Sequence, residues 1–162
     1  MNIFYLDSDP VVAAQYHCDK HVVKMILESS QMLCSAHRVL SGNDFCDERG
    51  FYKLAHKNHP STKWVRESYV QYRWLYNLYE ALLTEYTKRY EKSHASGRLR
   101  EELEVSPTNI GTESFNQPPQ CMPEQYKIHG NSVQAYRNYY IGDKSRFAKW
   151  AYTDKPYWWE TS

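Results

Sequence analysis

The sequence has few cysteines and contains no long apolar run. The four cysteines, Cys18, Cys34, Cys46 and Cys121, form no CxxC pair, and their spacing does not match a structural zinc site. No window is apolar enough to span a membrane. The segment from Met1 to Asp7 has neither the basic region nor the apolar stretch that a signal peptide needs. We therefore expect a cytoplasmic protein in a reducing compartment.

The sequence also lacks a surplus of either charge, with 20 Lys and Arg against 19 Asp and Glu in 162 residues. Such a chain has no overall attraction for nucleic acid, so any DNA binding has to come from a local basic patch. The length suits one domain with a substantial core. We predict a single domain over residues 1–162, with a long loop rich in Pro and Gly over 106–130 and an aromatic tail over 151–162.

The strongest pattern is that of one long helix over residues 9–40. Asp9 can cap free N–H groups, Pro10 suits the first helical position, and Gly42 is a suitable end. Most of the circumference is apolar, which is typical of a helix buried against several neighbours. The polar residues form one stripe: His17, Lys20, His21, Lys24, Glu28 and Gln31. This stripe is either the solvent face of the helix or the wall of a functional cleft.

A second long helix is predicted over residues 61–93, where tyrosines recur at helical spacing. This spacing favours a core seam over a binding platform. Shorter helices are expected within 45–56, over 98–104 and over 133–150, the last interrupted near Gly142. The predicted fold class is all-α: a compact single domain with a buried central N-terminal helix, a second long helix and shorter C-terminal helices.

Three kinds of chemistry are open to the polar stripe. His17 and His21 are four residues apart and could be metal ligands, in which case a divalent metal and further ligands are needed. Glu28 beside Lys20 and Lys24 could act as a general acid or base, or stabilise positive charge on a sugar ring. An uncharged amine could attack a sugar carbon and form a Schiff base. The same residues could instead be a ladder of surface ion pairs.

Residues 136–150 are the one locally basic part of the chain, and in this segment basic residues alternate with aromatic residues. This pattern suits contact with phosphates together with base stacking. The candidate DNA-binding residues are Arg137, Tyr139, Tyr140, Lys144, Arg146 and Lys149. The alternative is an amphipathic terminal helix with a solvated cationic face.

Three short motifs resemble a known family. His21 and Glu28 are separated as in the central helix of phage pyrimidine-dimer DNA glycosylases of the endonuclease V type. Residues 136–142, YRNYYIG, look like the C-terminal WYKYYG segment with which that family contacts DNA. Residues 58–60, Asn-His-Pro, are similar to a segment of bacterial relatives, and the LD…HCDKHVVKM opening looks like that of uncharacterised phage proteins. The resemblance implies a small all-α fold, with Glu28 as the catalytic glutamate that cleaves the N-glycosidic bond of a flipped-out base.

The N-terminus departs from that family. Its members use the amine of a small second residue that is exposed by removal of Met, whereas Asn2 is a poor candidate for this processing. The resemblance therefore implies that the nucleophile is the amine of Met1, Lys20 or Lys24. Without such an amine, the enzyme would be a monofunctional glycosylase.

The leading hypothesis is a DNA-directed, base-excising N-glycosylase, with AP-lyase activity if an amine takes part. The candidate catalytic residues are Glu28, Lys24, Lys20 and His21, while His17 and Gln31 would orient the substrate. DNA is the expected partner and no cofactor is expected; if the protein is phage-encoded, its compartment is the infected host cell. One alternative is a metal-dependent helical hydrolase acting on nucleotides, with His17 and His21 as ligands of a divalent metal. The other is a non-enzymatic phage or host interaction protein that binds a host protein or nucleic acid through the aromatic tail and the long Pro-rich loop.

Overall fold

A computed structural model describes residues 1–159, so residues 160–162 of the predicted tail lie outside the described part. Within residues 1–159 the chain forms seven α-helices and no β-strand, which confirms the predicted all-α fold class. The helices are α1 (Pro10–Tyr16), α2 (Asp19–Ser41), α3 (Asn43–Glu48), α4 (Pro60–Glu67), α5 (Tyr69–Tyr90), α6 (Arg100–Leu103) and α7 (Ser132–Tyr139). None of the described helices combines the length and apolarity that crossing a bilayer requires.

Helix α2 lies at the centre of the molecule, in contact with α3, α4 and α5. Most of its apolar side chains are removed from solvent, and Val22, Ile26 and Leu33 are fully buried. The polar stripe predicted on this helix is only partly accessible: Lys20 and Lys24 are exposed, Glu28 and Gln31 are partly buried, and His21 is buried.

The prediction of one continuous helix over residues 9–40 is wrong at His17 and Cys18. The start is as predicted, since the Asp9 side chain accepts a hydrogen bond from Val11 N and Pro10 follows it. However, His17 and Cys18 have extended backbone, with ψ of 133° and 159°, so that α1 ends and α2 begins in a new direction. His17 therefore lies before α2, and it does not belong to the face that carries Lys24 and Glu28.

The break is stabilised by Arg89, whose side chain is fully buried near the end of α5. Its guanidinium donates hydrogen bonds to the carbonyl oxygens of Gln15 and His17, at 2.9 and 2.7 Å. It also pairs with Asp19 at 3.2 Å and with Glu85 at 3.0 Å. These carbonyl groups lack helical partners because the helix stops here, and Arg89 supplies the missing donors.

The second predicted helix, over residues 61–93, is also two helices. The backbone of Ser68 is extended, with φ of −151° and ψ of 155°, and separates α4 from α5. A hydrogen bond from Tyr69 N to the Gly111 carbonyl, 2.8 Å long, takes the place of a helical bond. The long loop therefore redirects this helix, through a contact that helical periodicity does not reveal.

Three tyrosines of α5 form the predicted core seam, since Tyr72, Tyr76 and Tyr79 are buried, whereas Tyr69 is exposed. Their hydroxyl groups donate to the carbonyl groups of Leu103, Arg100 and Ser96, respectively, at 2.7, 2.6 and 2.5 Å. Each ring thus fills the core while its hydroxyl fixes the chain after α5. That chain forms a 3₁₀ turn, Ala95–Leu99, followed by α6, where one brief helix over 98–104 was predicted.

The other predicted short helices are shorter than expected. The helix expected within residues 45–56 is α3, which begins at Asn43 and ends at Glu48. The one expected over 133–150 is α7, capped by the Asn131 side chain, and it continues only as a π-helical turn, Tyr140–Lys144. Between α6 and α7 the chain is irregular except for a 3₁₀ turn at Glu124–Tyr126.

We expect that replacing Arg89 with Met lowers the free energy of unfolding by about 3–5 kcal/mol, because the carboxylates and carbonyl groups around it stay buried without a partner. Urea unfolding followed by circular dichroism measures this. Arg146→Met is the matched control, since Arg146 is exposed, and it should change the free energy by less than about 0.5 kcal/mol. Equal effects of the two substitutions would contradict the role assigned to Arg89.

Candidate active site

The Glu28 carboxylate lies between two amines. Its Oε1 atom is 3.6 Å from the α-amino nitrogen of Met1, and its Oε2 atom is 3.7 Å from Lys24 Nζ. The Glu28 side chain is only 16% exposed, and Oε2 is buried without a hydrogen bond within the described residues. A carboxylate in this position keeps a free acceptor while it attracts positive charge.

The N-terminal arm, residues 1–6, holds the Met1 amine at this position. It is a segment without regular secondary structure that packs on the core, and Ile3, Phe4 and Leu6 are all buried. The Asn2 side chain donates a hydrogen bond to the Cys121 carbonyl at 3.1 Å. The arm is thus fixed to a part of the chain that is distant in sequence.

His21 is buried beneath the arm in its neutral form. Its ring stacks on Phe4, with centroids 4.4 Å apart, and its Nδ1 is hydrogen bonded to the Tyr140 hydroxyl at 2.6 Å. Burial lowers its pKa to about 3, and the positive charges of Lys144, Lys24 and Lys20 contribute. His21 is thus neutral near pH 7, and the three nearby lysines favour this uncharged form.

His17 is fully buried and takes no part in the surface of the site. Its Nδ1 donates a hydrogen bond to the Ala13 carbonyl at 2.6 Å, so the lone pair is on Nε2. Burial lowers the pKa of His17 to about 4. The structure therefore places this predicted substrate-orienting residue in the core.

The same contacts bear on the alternative in which His17 and His21 are metal ligands. The Nδ1 atoms of both residues are already used in hydrogen bonds within the protein. Among residues 1–159, no group of three or more His, Cys, Asp or Glu side chains is arranged to hold a metal ion. The metal-dependent alternative stays a prediction.

A group of cations surrounds the exposed end of this site. Lys20 Nζ lies 4.9 Å from the centre of the Phe147 ring, the Arg146 guanidinium carbon 5.7 Å from it, and Lys144 Nζ 4.6 Å from the centre of the Tyr139 ring. Together with Lys24, these residues form what we call the cationic surface: Lys20, Lys24, Lys144 and Arg146. Lys149 is exposed in the same C-terminal segment, and its carbonyl oxygen accepts a hydrogen bond from Asp19 N at 2.8 Å.

Two predicted DNA-binding residues, Arg137 and Tyr140, are instead buried. The Arg137 guanidinium donates to the Leu6 carbonyl at 2.9 Å, pairs with Asp7 at 3.2 Å and donates to the Tyr157 hydroxyl at 3.1 Å. Tyr140 is fully buried, and its hydroxyl is occupied by His21 and Cys18. Both side chains make their contacts inside the protein, where they fix the arm and His21.

His59 is a further titratable group near the amine and the carboxylate. It caps α4, because its Nδ1 accepts a hydrogen bond from Ser61 N at 3.1 Å, and this leaves the ring proton on Nε2. Partial burial lowers the pKa of His59, the positive charge of the Met1 amine lowers it further, and the charge of Glu28 raises it. The pKa of His59 therefore depends on both charges. Its position 31 residues after Glu28 does not indicate in the sequence that the two side chains lie close together.

Sequence reasoning missed Phe4 and Phe147. Phe4 supports His21 from the arm, and Phe147 lies among the cations. Both contacts join parts of the chain more than 15 residues apart, which no helical period connects. The alternation of basic and aromatic residues over 136–150 was the one feature of the sequence that pointed to Phe147. Nothing in the sequence pointed to Phe4 except its place in the apolar N-terminal segment.

The fold and the site define a class: a small helical protein that places a carboxylate between amines beside a cationic surface. A family model described as pyrimidine dimer DNA glycosylase matches residues 1–96. This is more than half of the chain, which therefore belongs to that family. No curated protein and no solved structure is a significant match. The family match ends before α7, so it includes Glu28 and the arm but not Tyr139, Lys144 and Arg146.

We expect the free energy of unfolding to fall as the pH is lowered from 7 to 5. The unfolded histidines titrate near 6.5, whereas His17 and His21 titrate at about 4 and about 3 in the fold. The unfolded state therefore binds more protons in this window, which costs up to about 2 kcal/mol per histidine at pH 5. Urea unfolding at several pH values measures the slope.

The matched variants for this experiment are His21→Gln and His129→Gln. The first should reduce the slope, because it removes a buried neutral histidine, and the second should leave it unchanged, because His129 is exposed. A flat profile in the parent protein would contradict the burial of uncharged histidines.

Proposed function

We propose that the protein is a DNA N-glycosylase that removes damaged or modified bases, with Glu28 as its catalytic carboxylate. The observation that carries this proposal is the position of Glu28, whose carboxylate lies within 4 Å of two amines at the edge of a cationic surface. Membership of the pyrimidine dimer DNA glycosylase family supports it.

Glu28 suits the charge that develops during base excision. As the bond between C1′ and the base nitrogen breaks, its electron pair leaves with the base, and the sugar ring becomes positive. A partly buried carboxylate stabilises this charge more strongly than water does, because the surroundings screen it less. The free Oε2 acceptor can also receive the proton that an attacking amine gives up.

An amine next to Glu28 would add a second step. The nitrogen bonds to C1′ as the base leaves with the electron pair of the glycosidic bond, and the nitrogen then loses a proton. The C1′–O4′ bond of the sugar ring breaks next, O4′ takes up a proton, and a protonated C1′=N imine forms. Loss of the 2′ proton from this imine then breaks the bond between C3′ and the phosphate oxygen, which is the AP-lyase reaction. Met1 and Lys24 are the amines beside Glu28, whereas Lys20 Nζ is placed over the Phe147 ring.

The cationic surface would hold the phosphates of the substrate strand. Its lysine and arginine side chains project beside aromatic rings, a combination that provides charge for the backbone and a face for an unstacked base. Tyr139, which is partly exposed, is the aromatic residue we assign to stacking. Lys149, exposed farther along, would extend the phosphate contacts.

The remaining site residues would position these groups. His21 is neutral and would offer a hydrogen bond rather than a charge to the substrate, and Gln31 lies one turn beyond Glu28 on the same helix. His17, Arg137 and Tyr140 would act from the interior by fixing the arm and His21. The four cysteines are free, in keeping with the cytoplasmic location that we propose.

We expect Glu28→Gln to abolish base release, with a loss of about 100-fold or more, while the fold is retained. The amide keeps the shape of the side chain but neither stabilises a positive sugar nor accepts a proton. The measurement is release of damaged bases from ultraviolet-irradiated duplex, together with thermal unfolding. Glu101→Gln, on the exposed surface of α6, is the control. A fully active Glu28→Gln protein would refute the assignment.

Borohydride trapping should identify the amine. With an abasic duplex, we expect a covalent protein–DNA adduct in the parent protein and in Lys20→Gln, because Lys20 is turned toward Phe147. Peptide mapping should place the adduct at Met1 or Lys24, and Lys24→Gln separates the two by retaining or losing it. If irradiated duplex loses bases but no adduct forms, the enzyme is monofunctional and the lyase step is wrong.

A further inference from the structure

The C-terminal cations are carried by an unusual piece of backbone. After α7 the chain continues as a π-helical turn, Tyr140–Lys144, and Arg146 lies two residues beyond it. π-helical turns are rare and are frequently found at functional sites. A residue of the long loop contacts this turn from outside α7.

Tyr126, in the 3₁₀ turn of that loop, packs directly on Gly142. A Cβ atom added to Gly142 would lie 2.5 Å from both Cζ and the hydroxyl oxygen of Tyr126, a distance that atoms cannot adopt. The Tyr126 ring also packs against Tyr139, with centroids 5.6 Å apart. The phenol ring thus rests on the backbone of the π turn, at a point where only glycine leaves room.

The hydroxyl of Tyr126 also holds the one acidic residue of the basic segment. It donates a hydrogen bond to Asp143 Oδ1 at 2.8 Å, and Asp143 is the sole acid between residues 136 and 150. Within residues 1–159, Asp143 forms no ion pair with Lys144 or Arg146, although these are its near neighbours in sequence. The carboxylate is therefore directed to the loop rather than to the cations.

We propose that Tyr126 is a positioning residue for DNA binding, which fixes the π turn through Gly142 and keeps Asp143 away from Lys144 and Arg146. This proposal rests on the proposed function, since it concerns the same cationic surface. A carboxylate released beside these cations competes with a DNA phosphate for them, because both are anions that pair with the same groups. By binding Asp143, Tyr126 keeps both cations available for the DNA backbone.

Tyr126→Phe removes the hydroxyl and keeps the ring on Gly142. We expect KM for an abasic duplex to rise about three- to tenfold while kcat stays the same, because the lost hydrogen bond frees Asp143. We also expect a shallower dependence of the dissociation constant on salt, since fewer cations exchange their counterions for phosphate. A purely structural role would not alter this salt dependence.

Asp143→Asn completes the double-mutant cycle. In the Asp143→Asn background the side chain has no charge to compete with phosphate, so that Tyr126→Phe should no longer raise KM. The cycle thus measures the coupling between the hydroxyl and the carboxylate. An unchanged KM in Tyr126→Phe, or the same increase with and without Asp143, would overturn the proposal.

Gly142→Ala tests the packing contact separately. We expect it to raise KM, because its Cβ collides with the Tyr126 ring, and we expect Tyr126→Ala in the same chain to relieve part of this increase. Partial relief is the signature of a direct contact, and its absence would contradict the role of Gly142.

The activity of the parent protein shows whether a negative result contradicts this inference alone or the proposed function as well. If the parent neither binds nor cleaves an abasic or irradiated duplex, the proposed function fails first. If the parent is active and the Tyr126 variants behave like it, only the role of Tyr126 is wrong.

Discussion

A single buried guanidinium determines the course of the chain at the centre of the protein. Arg89 binds two carbonyl groups that the break between α1 and α2 leaves without helical partners, and it pairs with Asp19 at the start of α2. If the first helix ran straight on, His17 would share a face with Glu28. The break instead directs His17 into the core and sets the direction of the helix that carries Glu28.

The site depends on chain segments that are far apart. Helix α2 supplies Glu28, Lys20 and Lys24, the arm supplies the Met1 amine, and the segment after α7 supplies Lys144 and Arg146. The arm is secured by Arg137, whose guanidinium binds the Leu6 carbonyl and Asp7. A residue that looked suitable for DNA phosphates in the sequence thus fixes the arm of the candidate site from inside the protein.

Much of the fold was predictable, because helical periodicity and capping residues are local signals. The all-α class, the Asp9 cap and the end of α2 at Gly42 all follow from neighbours in sequence. The breaks at His17 and Ser68 could not be predicted from neighbouring residues, because Arg89 and Gly111 stabilise them from elsewhere in the chain. The same holds for the site: Glu28 was a candidate from its helix face, whereas the burial of Arg137 and Tyr140 depends on tertiary packing.

The hydrogen bond from Arg137 to Leu6 spans 131 residues of sequence, and this has a consequence for synthesis of the protein. Residues 1–6 leave the ribosome first, but the arm lacks its contacts with Arg137 until α7 has been made and has folded back. Long-range contacts of this kind form late. A nascent chain that already contains Glu28 therefore lacks part of the candidate site until its last quarter has been translated.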